Sequence, residues 1–435
     1  MTARTWVNWA RNQTAQPSEV AQPDSVDDVV ALVTRAASQG RRVKPVGTGH
    51  SFTGIAVAPD VQVDMRRLSG VTGLDPQRRL VTVGAGTPLW RLSPLLADLG
   101  LALENMGDID RQTISGAIST GTHGTGLTFG GLATQVAGLT MVSGNGEVIR
   151  IDGHHNADLL PAARVGLGAL GIITDVTLRC VPGFAIHAVE KPEPLAEVLA
   201  DLDERVARAD HFEFYWFPHT SVALTKSNTR LPSETPTAGA GRLSKRITEE
   251  VVENGALGAL CVIGTALPSV IPALNNTAVR LMSERIHIQQ SNRVFATQRR
   301  IRFREMEYAI PYEALPEAFA DIRQLIERRG WRIGLPIEVR MAAADDTWLS
   351  TAYGRTTAYL AVHRYFREDP SDYFAAVETI MTSYGGRPHW GKMHNCTAAD
   401  LRSSYPRFDA FRAVRERLDP GRTFDNDYLR SVLGD

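Results

Sequence analysis

Two segments and one strand in this chain combine residue types and spacings that can do chemistry. The first segment is Val46-Gly47-Thr48-Gly49-His50-Ser51, a histidine in a glycine-bracketed turn just after an apolar run that ends at Pro45. Backbone N–H groups in such a turn can cradle a phosphate, because glycine lets the main chain approach with no Cβ in the way. The strand is Pro336-Ile337-Glu338-Val339-Arg340, where Glu338 and Arg340 stand two apart and project to one face. Charges inside an otherwise apolar strand are costly to bury unless they compensate each other and a ligand. A carboxylate and a guanidinium so placed suit the removal of a hydroxyl proton and the stabilisation of developing negative charge. A plain structural ion pair fits the same two residues.

The second segment runs from Thr113 to Gly126, TISGAISTGTHGTG, and includes Gly116, Ala117, Thr120, Gly121 and His123. Small residues alternate with hydroxyls there. Backbone donors and Ser/Thr oxygens suit a pyrophosphate and ribityl chain, with His123 or a neighbouring amide at the isoalloxazine edge. A further stretch, Gly166 to Thr174 (GLGALGIIT), contains Gly171 and Ile173 and would let a strand's main chain lie against an adenine. Glycine is dense here, with ten of the chain's 37 between Gly107 and Gly146. That density suits close main-chain contact with a bulky ligand, and it also suits a strand-rich domain with many tight turns.

The elements that must position these residues fall into two textures, dividing near residue 184. Before it, short apolar runs lie between Gly, Pro and Asp turns: Arg42–Val46, Val61–Met65, Leu80–Val83, Thr134–Ser143, Glu147–Ile151 and Ile172–Cys180. Ser25–Gln39 and Pro88–Leu99 read as helices, the second with Pro88 at a first helical position. After Phe184, longer helical patterns at Leu195–Ala209, Pro272–Glu284, Tyr312–Arg329 and Ser371–Tyr384 alternate with strands near His211–Phe217, Arg300–Ala309, Ile337–Met341 and Ala358–His363. Leu231–Gly241 (LPSETPTAGAG) reads as a mobile surface loop. The whole predicts an α+β protein whose second domain caps the first.

Composition removes several function classes. Among 435 residues the formal net charge is −1, so no global field favours nucleic acid or an anionic membrane. The start, MTARTWVNWARNQTAQ, has no apolar signal core, and no long uninterrupted apolar stretch follows. The expectation is a soluble, cytoplasmic protein with no integral membrane segment, with peripheral membrane contact left open. Cys180, Cys261 and Cys396 are odd in number and far apart, which predicts neither a disulfide framework nor a zinc site. Histidine spacing at His154-His155 and at His389 and His394 likewise predicts no metal. Val81-Thr-Val-Gly84-Ala-Gly86 imitates a dinucleotide fingerprint, but Leu89 stands at its third glycine position and no parallel βαβ unit follows.

The V-G-x-G-H-S turn, the S-G-A-x-x-x-G-T-H-G-T-G run, the G-x-G-A-L-G-I-I-T strand and the late His389-Trp390-Gly391-Lys392 together resemble the flavin-dependent aldonolactone and alditol oxidoreductases of the vanillyl-alcohol-oxidase superfamily. The likeness extends from about Trp6 to Leu433 and is greatest to the L-gulono-1,4-lactone oxidase/dehydrogenase branch. It implies a two-subdomain PCMH-type FAD-binding domain over residues 1–184. It also implies a substrate domain over 185–435, whose segment 385–435 returns to the flavin.

The same resemblance implies that His50 bonds covalently to the flavin 8α-methyl. It places Val46, Gly47, Thr48, Gly49, Ser51, Gly107, Asp108, Thr113, Gly116, Ala117, Thr120, Gly121, His123, Gly171 and Ile173 around FAD. Gly107 occupies the position that gates dioxygen, and its small size leans toward an oxidase producing hydrogen peroxide. Glu338, Arg340, Lys392 and His363 take the catalytic places, with Lys392 beside the flavin N1–C2 carbonyl edge. Where alditol oxidases have histidine and threonine, this chain has Ala361 and His363, which weakens a linear polyol and supports a ring lactone oxidised at C2 to ascorbate or an analogue. The implied partners are a sugar lactone or polyol and O2 or a cytochrome-type acceptor, with a non-catalytic flavin or carbohydrate binder as the contrasting class.

Overall fold

A computed structural model describes residues 5–238, 257–296 and 301–434. Helix α1 (Val26–Ser38) shows how the amino-terminal half is specified. Ser25 caps it by accepting from the Asp28 amide at 3.1 Å, Asp27 and Asp28 occupy its first turn, and Val29, Leu32, Val33 and Ala36 bury one face. The chain leaves through Gly40, whose φ of 64° ends the helix. Three short parallel strands accompany this helix, one before it and two after: β1 (Glu19–Ala21), β2 (Val43–Val46) and β3 (Val61–Asp64), ordered β1-β3-β2.

An antiparallel sheet of β4 (Val71–Asp75), β5 (Leu80–Gly84), β6 (Val136–Val142), β7 (Val148–Asp152) and β8 (Ile172–Arg179) has the order β7-β6-β8-β5-β4. Because β5 pairs antiparallel with β4 and β8, Gly84 and Gly86 do not open a parallel βαβ unit. Their role is close passage of the chain: a Cβ on Gly84 would lie 2.5 Å from Leu68 O, and one on Gly86 would lie 1.9 Å from Met65 O. Gly86→Ala is therefore expected to cost about 1–3 kcal/mol through backbone displacement, read as a lowered midpoint in thermal or urea unfolding. A variant melting with the parent would mean that the Met65 turn yields freely.

The second half is an eight-stranded sheet: β9 (Phe184–Pro194), β10 (His211–Trp216), β11 (Val222–Pro232), β12 (Arg285–Gln290), β13 (Phe303–Pro311), β14 (Ile337–Ala342), β15 (Thr357–Tyr365) and β16 (Arg387–Pro388). Its order is β12-β9-β11-β10-β14-β15-β13-β16. Strict alternation divides its faces. Phe214, Val339, Leu360 and Tyr308, paired across four strands, face a core closed by the helices Leu315–Arg329 and Ser371–Ser383. Tyr215, Glu338, Ala361 and Glu307, one residue on along the same strands, face the other way.

The last helices, Ala398–Ser404, Phe408–Leu418 and Asp427–Leu433, return to the amino-terminal half. Leu401, Phe408, Phe411, Leu418, Leu429 and Leu433 share one buried core with Val81, Leu92, Leu139 and Val176. Thr423 O accepts from Val43 N at 2.7 Å, and Asn426 Nδ2 donates to Gly54 O at 3.0 Å and Val57 O at 2.9 Å. Strand β2 and the turn after it are thus braced by the end of the chain.

Several boundaries differ from the sequence reading. Pro88 is the cap before the helix Leu89–Asp98 and not its first residue. Leu195–Ala209 is two helices, Leu195–Ala200 and Leu202–Arg208. Leu231 and Pro232 end β11 and so belong to the sheet, while the part of that predicted loop from residue 239, like Arg300 of another predicted strand, lies outside the described residues. Among the described residues no helix is long and apolar enough to cross a membrane.

Candidate functional site

Two cavities meet at His50. The first runs along the glycine-rich surface of the amino-terminal half, lined by Val46, Gly47, Thr48, Gly49, His50, Ser51, Thr113, Gly116, Thr120, Gly171 and Ile173, with Lys44 and Gly168 at one end. The second is lined by Gly107, Asp108, Thr122 and His123 from that half, and by Glu305, Glu307, Arg340, His389 and Lys392 from the other. His50, Ser51, Gln112 and Thr120 line both, so the two form one continuous trough.

The first cavity has the features of a cofactor cradle. The Thr48, Gly49, His50 and Ser51 amides meet no hydrogen-bond acceptor among the described residues. A Cβ on Gly47 would lie 2.6 Å from Thr113 Oγ1, and one on Gly171 would lie 2.7 Å from Val142 O, so both walls need the missing side chain. Gly49 turns the chain at a φ of 72°. A row of open donors beside a bare, partly apolar wall fits the pyrophosphate and adenosine of FAD.

Lys44, which the sequence reading did not single out, closes the far end. Its Nζ donates to Phe424 O at 2.9 Å and Gly168 O at 3.2 Å, and burial lowers its pKa to about 7.

His50 stacks on Trp9 with ring centroids 5.8 Å apart. Burial, aided by Arg111, lowers its pKa to about 4, so the ring is neutral at physiological pH. The turn is tied to the late His389–Lys392 segment: Phe52 N donates to Gly391 O at 2.7 Å and Thr53 Oγ1 to Trp390 O at 3.0 Å.

The floor of the second cavity is the polar face of the eight-stranded sheet. Arg340 Nε donates to Glu213 Oε2 at 2.7 Å, and its Nη2 reaches Glu338, Asp108 Oδ2 at 3.5 Å and the Tyr215 hydroxyl at 3.4 Å. Burial opposes its charge, but Glu213, Glu338 and Asp108 outweigh that and hold its pKa well above the ordinary arginine value. Burial likewise raises the Glu305 carboxyl, yet its pair with Lys392 brings it down to about 2. Both ring nitrogens of His123 are engaged, Nδ1 by Gly124 O at 2.8 Å and Nε2 by Glu307 Oε1 at 2.8 Å, and the ring stacks on Tyr359.

Not every expected residue lines the trough. Ala117 packs in the amino-terminal core, and Gly121 turns the chain at a φ of 78°. Glu338 and His363 lie behind the cavity wall, Glu338 against Arg340 and Tyr215, and His363 with Nδ1 2.8 Å from Pro336 O. Glu213, Tyr215, Glu305 and Glu307 were missed, although Glu213-Phe214-Tyr215 and Glu305-Met306-Glu307 carry the same polar–apolar–polar alternation as Glu338-Val339-Arg340.

A Cβ on Gly107 would sit 3.0 Å from His123 O, so packing as well as cavity access favours glycine there. Two groups with metal-ligand chemistry also come together, His123/Glu307/His389 and Glu305/Glu338/His363, which histidine spacing along the chain did not anticipate. Lys392 and Arg340 already neutralise Glu305 and Glu338.

Residues 17–152 match a family described as FAD binding domain, and residues 176–432 match D-arabinono-1,4-lactone oxidase. An L-gulono-1,4-lactone dehydrogenase of Mycobacterium tuberculosis is 47% identical over 430 residues, covering 99% of each chain. The chain belongs to the FAD-linked aldonolactone oxidoreductase family. An L-gulonolactone oxidase of Bos taurus is 36% identical over 98% of this family member and 97% of its own length. A crystal structure of cholesterol oxidase from B. sterolicum superposes with a TM-score of 0.81 at 18% identity, covering 99% of this chain and 96% of that one, which bears out the PCMH-type fold.

Four histidines in this aldonolactone oxidoreductase family member are held neutral by burial: His50, His211 and His394 near a pKa of about 4 and His389 near about 3. The unfolded chain takes up these protons first, near the ordinary 6.5, so it binds more protons than the fold as pH falls from 6.5 towards 4. Stability is expected to decline through that window, with a melting temperature at pH 4.5 about 5 °C or more below that at pH 7. A flat melting profile between those pH values would contradict neutral burial of these rings.

Proposed function

We propose that the protein oxidises a sugar 1,4-lactone of the L-gulono type at C2, giving ascorbate or an analogue, with FAD held covalently through His50. The observation that carries this reading is the single trough joining a glycine-walled cradle to a floor of compensated charges. Bound FAD supplies the hydride acceptor. The amides of residues 48–51 hold its pyrophosphate, Gly171 and Ile173 its adenosine, and Lys392 its pyrimidine edge.

The reaction converts a secondary alcohol to a ketone, losing one hydride from carbon and one proton from oxygen. Arg340, facing the cavity, orients the hydroxyl oxygen and stabilises negative charge on it as the proton leaves. Glu338, pressed against Arg340 and the Tyr215 hydroxyl, holds or relays that proton. Burial of the sheet's charged face keeps water from competing and strengthens each of these contacts. His363, two residues beyond Ala361 on the same face, sets the shape of the floor against Glu305 at 3.5 Å.

For reoxidation, the absent side chain at Gly107 supports O2 as acceptor, with hydrogen peroxide as product. The name of the mycobacterial relative supports a second reading, a dehydrogenase passing electrons to a cytochrome-type acceptor. Anaerobic bleaching of the yellow protein by L-gulono-1,4-lactone, with xylitol as contrast, tests the substrate. Bleaching by xylitol alone would replace the lactone with a polyol. Admitting O2 or cytochrome c to the bleached protein then separates the two acceptors by which restores the colour.

A further inference from the structure

We propose that Thr125 is a positioning residue, a hydroxyl wedge inserted between two strands of the substrate-side sheet so that the flavin-side loop and the strand of Arg340 move as one body. This rests on the reading of Arg340 above. The segment Gly124-Thr125-Gly126 belongs to the glycine- and hydroxyl-rich run that suggested cofactor contact, yet none of the three lines either cavity.

Strands β10 and β14 pair Trp216 with Ile337, Tyr215 with Glu338 and Phe214 with Val339. The same register would set Phe212 opposite Met341, where a regular ladder would join Met341 N to Phe212 O directly. Thr125 takes that rung instead. Its Oγ1 accepts from Met341 N at 3.2 Å and donates to Phe212 O. Its own carbonyl accepts from His211 Nδ1 at 2.7 Å, and Gly126 N donates to Met341 O at 2.9 Å.

The insertion is tight on every side. Thr125 is 7% exposed. A Cβ on Gly124 would lie 2.2 Å from Met106 O, and one on Gly126, where φ is 132°, would lie 2.6 Å from Asp210 O. The neighbouring His123 is gripped by Glu307 and Tyr359 of two further strands. A loop whose upstream residues line the trough is therefore keyed into the sheet one residue from Arg340. A shift of that key displaces the guanidinium relative to the bound ring, and small misplacements of a charge-stabilising group are costly in rate.

The test uses FAD-loaded Thr125→Val, which keeps the shape but cannot donate or accept, and Thr125→Ser, which restores the hydroxyl. With L-gulono-1,4-lactone as reductant, Thr125→Val is expected to retain its FAD yet bleach about tenfold more slowly at saturation, with less than about threefold change in KM. Thr125→Ser is expected to return the rate to within about threefold, and hydrogen exchange at the Met341 amide to quicken only in the valine variant. In an Arg340→Ala background, Thr125→Val is expected to slow bleaching by no more than about twofold further, because the two act through one group.

An undiminished rate in Thr125→Val, a serine variant as slow as valine, or a full tenfold loss in the Arg340→Ala background overturns the wedge. Where Thr125→Val yields no folded protein, Thr125→Ala against Thr125→Ser carries the same comparison. A slow Arg340→Ala beside a fast Thr125→Val rejects the wedge and leaves the site standing. A fast Arg340→Ala removes the site reading, and the positioning role with it.

Discussion

Arg340→Ala is expected to lower the saturating rate of anaerobic bleaching by L-gulono-1,4-lactone at least about 100-fold, the scale of losing one preorganised charge aimed at a developing oxyanion. The effect should fall on the rate more than on KM, since the contact strengthens as the hydroxyl proton leaves. Its environment adds a second consequence. Glu213, Glu338 and Asp108 converge on this guanidinium, and Lys226 lies 3.5 Å from Glu213. Removing one partner from a buried ionic group costs about 3–5 kcal/mol, so the variant should also melt well below the parent.

Arg340→Lys keeps a charge but loses the planar fork that serves several carboxylates at once, and should retain only part of both properties. Stopped-flow bleaching and thermal melting on the same preparations check the two outcomes together. Near-normal kinetics would take Arg340 out of the reaction.

His50→Ala is expected to convert retention of flavin after acid denaturation from complete to none. A neutral imidazole has the lone pair needed to bond an activated methylene, and burial keeps His50 neutral far below physiological pH. The ring is also pre-oriented against Trp9 at the junction of the two cavities. The variant should still bind FAD through the amides of the turn, leaving a yellow native protein whose colour passes to the supernatant on precipitation. Mass spectrometry of the peptide bearing residue 50 reads the same result in the parent. Flavin that stays attached to the alanine variant would move the linkage elsewhere.

The parts of the fold legible in the sequence were those where one local pattern decides. Ser25, Asp27 and Asp28 before an apolar stripe make α1, and Ile172–Arg179 alternates as a strand must. Strand β9 was not legible because FAIHAVEKPEP breaks alternation with charges and prolines, and it is held by pairing with β11 along its whole length. The candidate site followed the same rule. Glu338-x-Arg340 stood out because its neighbours are apolar, whereas Glu305-x-Glu307 and Glu213-x-Tyr215 reveal their meaning only when strand register sets them beside Arg340, Lys392 and His123. Ala117 misled for the converse reason: it sits among hydroxyl and glycine residues in the chain, but the turn of the helix Ile114–Ser119 points it into the core.

The bracing of β2 by residues 423–426 bears on when the cradle comes into being. The ribosome releases the His50 turn nearly four hundred residues before its far support, Phe424, has been made. Until then Val43, Lys44 and the carbonyls after Gly54 lack the partners they have in the finished protein. The cradle therefore reaches its finished form only when residues 423–426 have folded against β2.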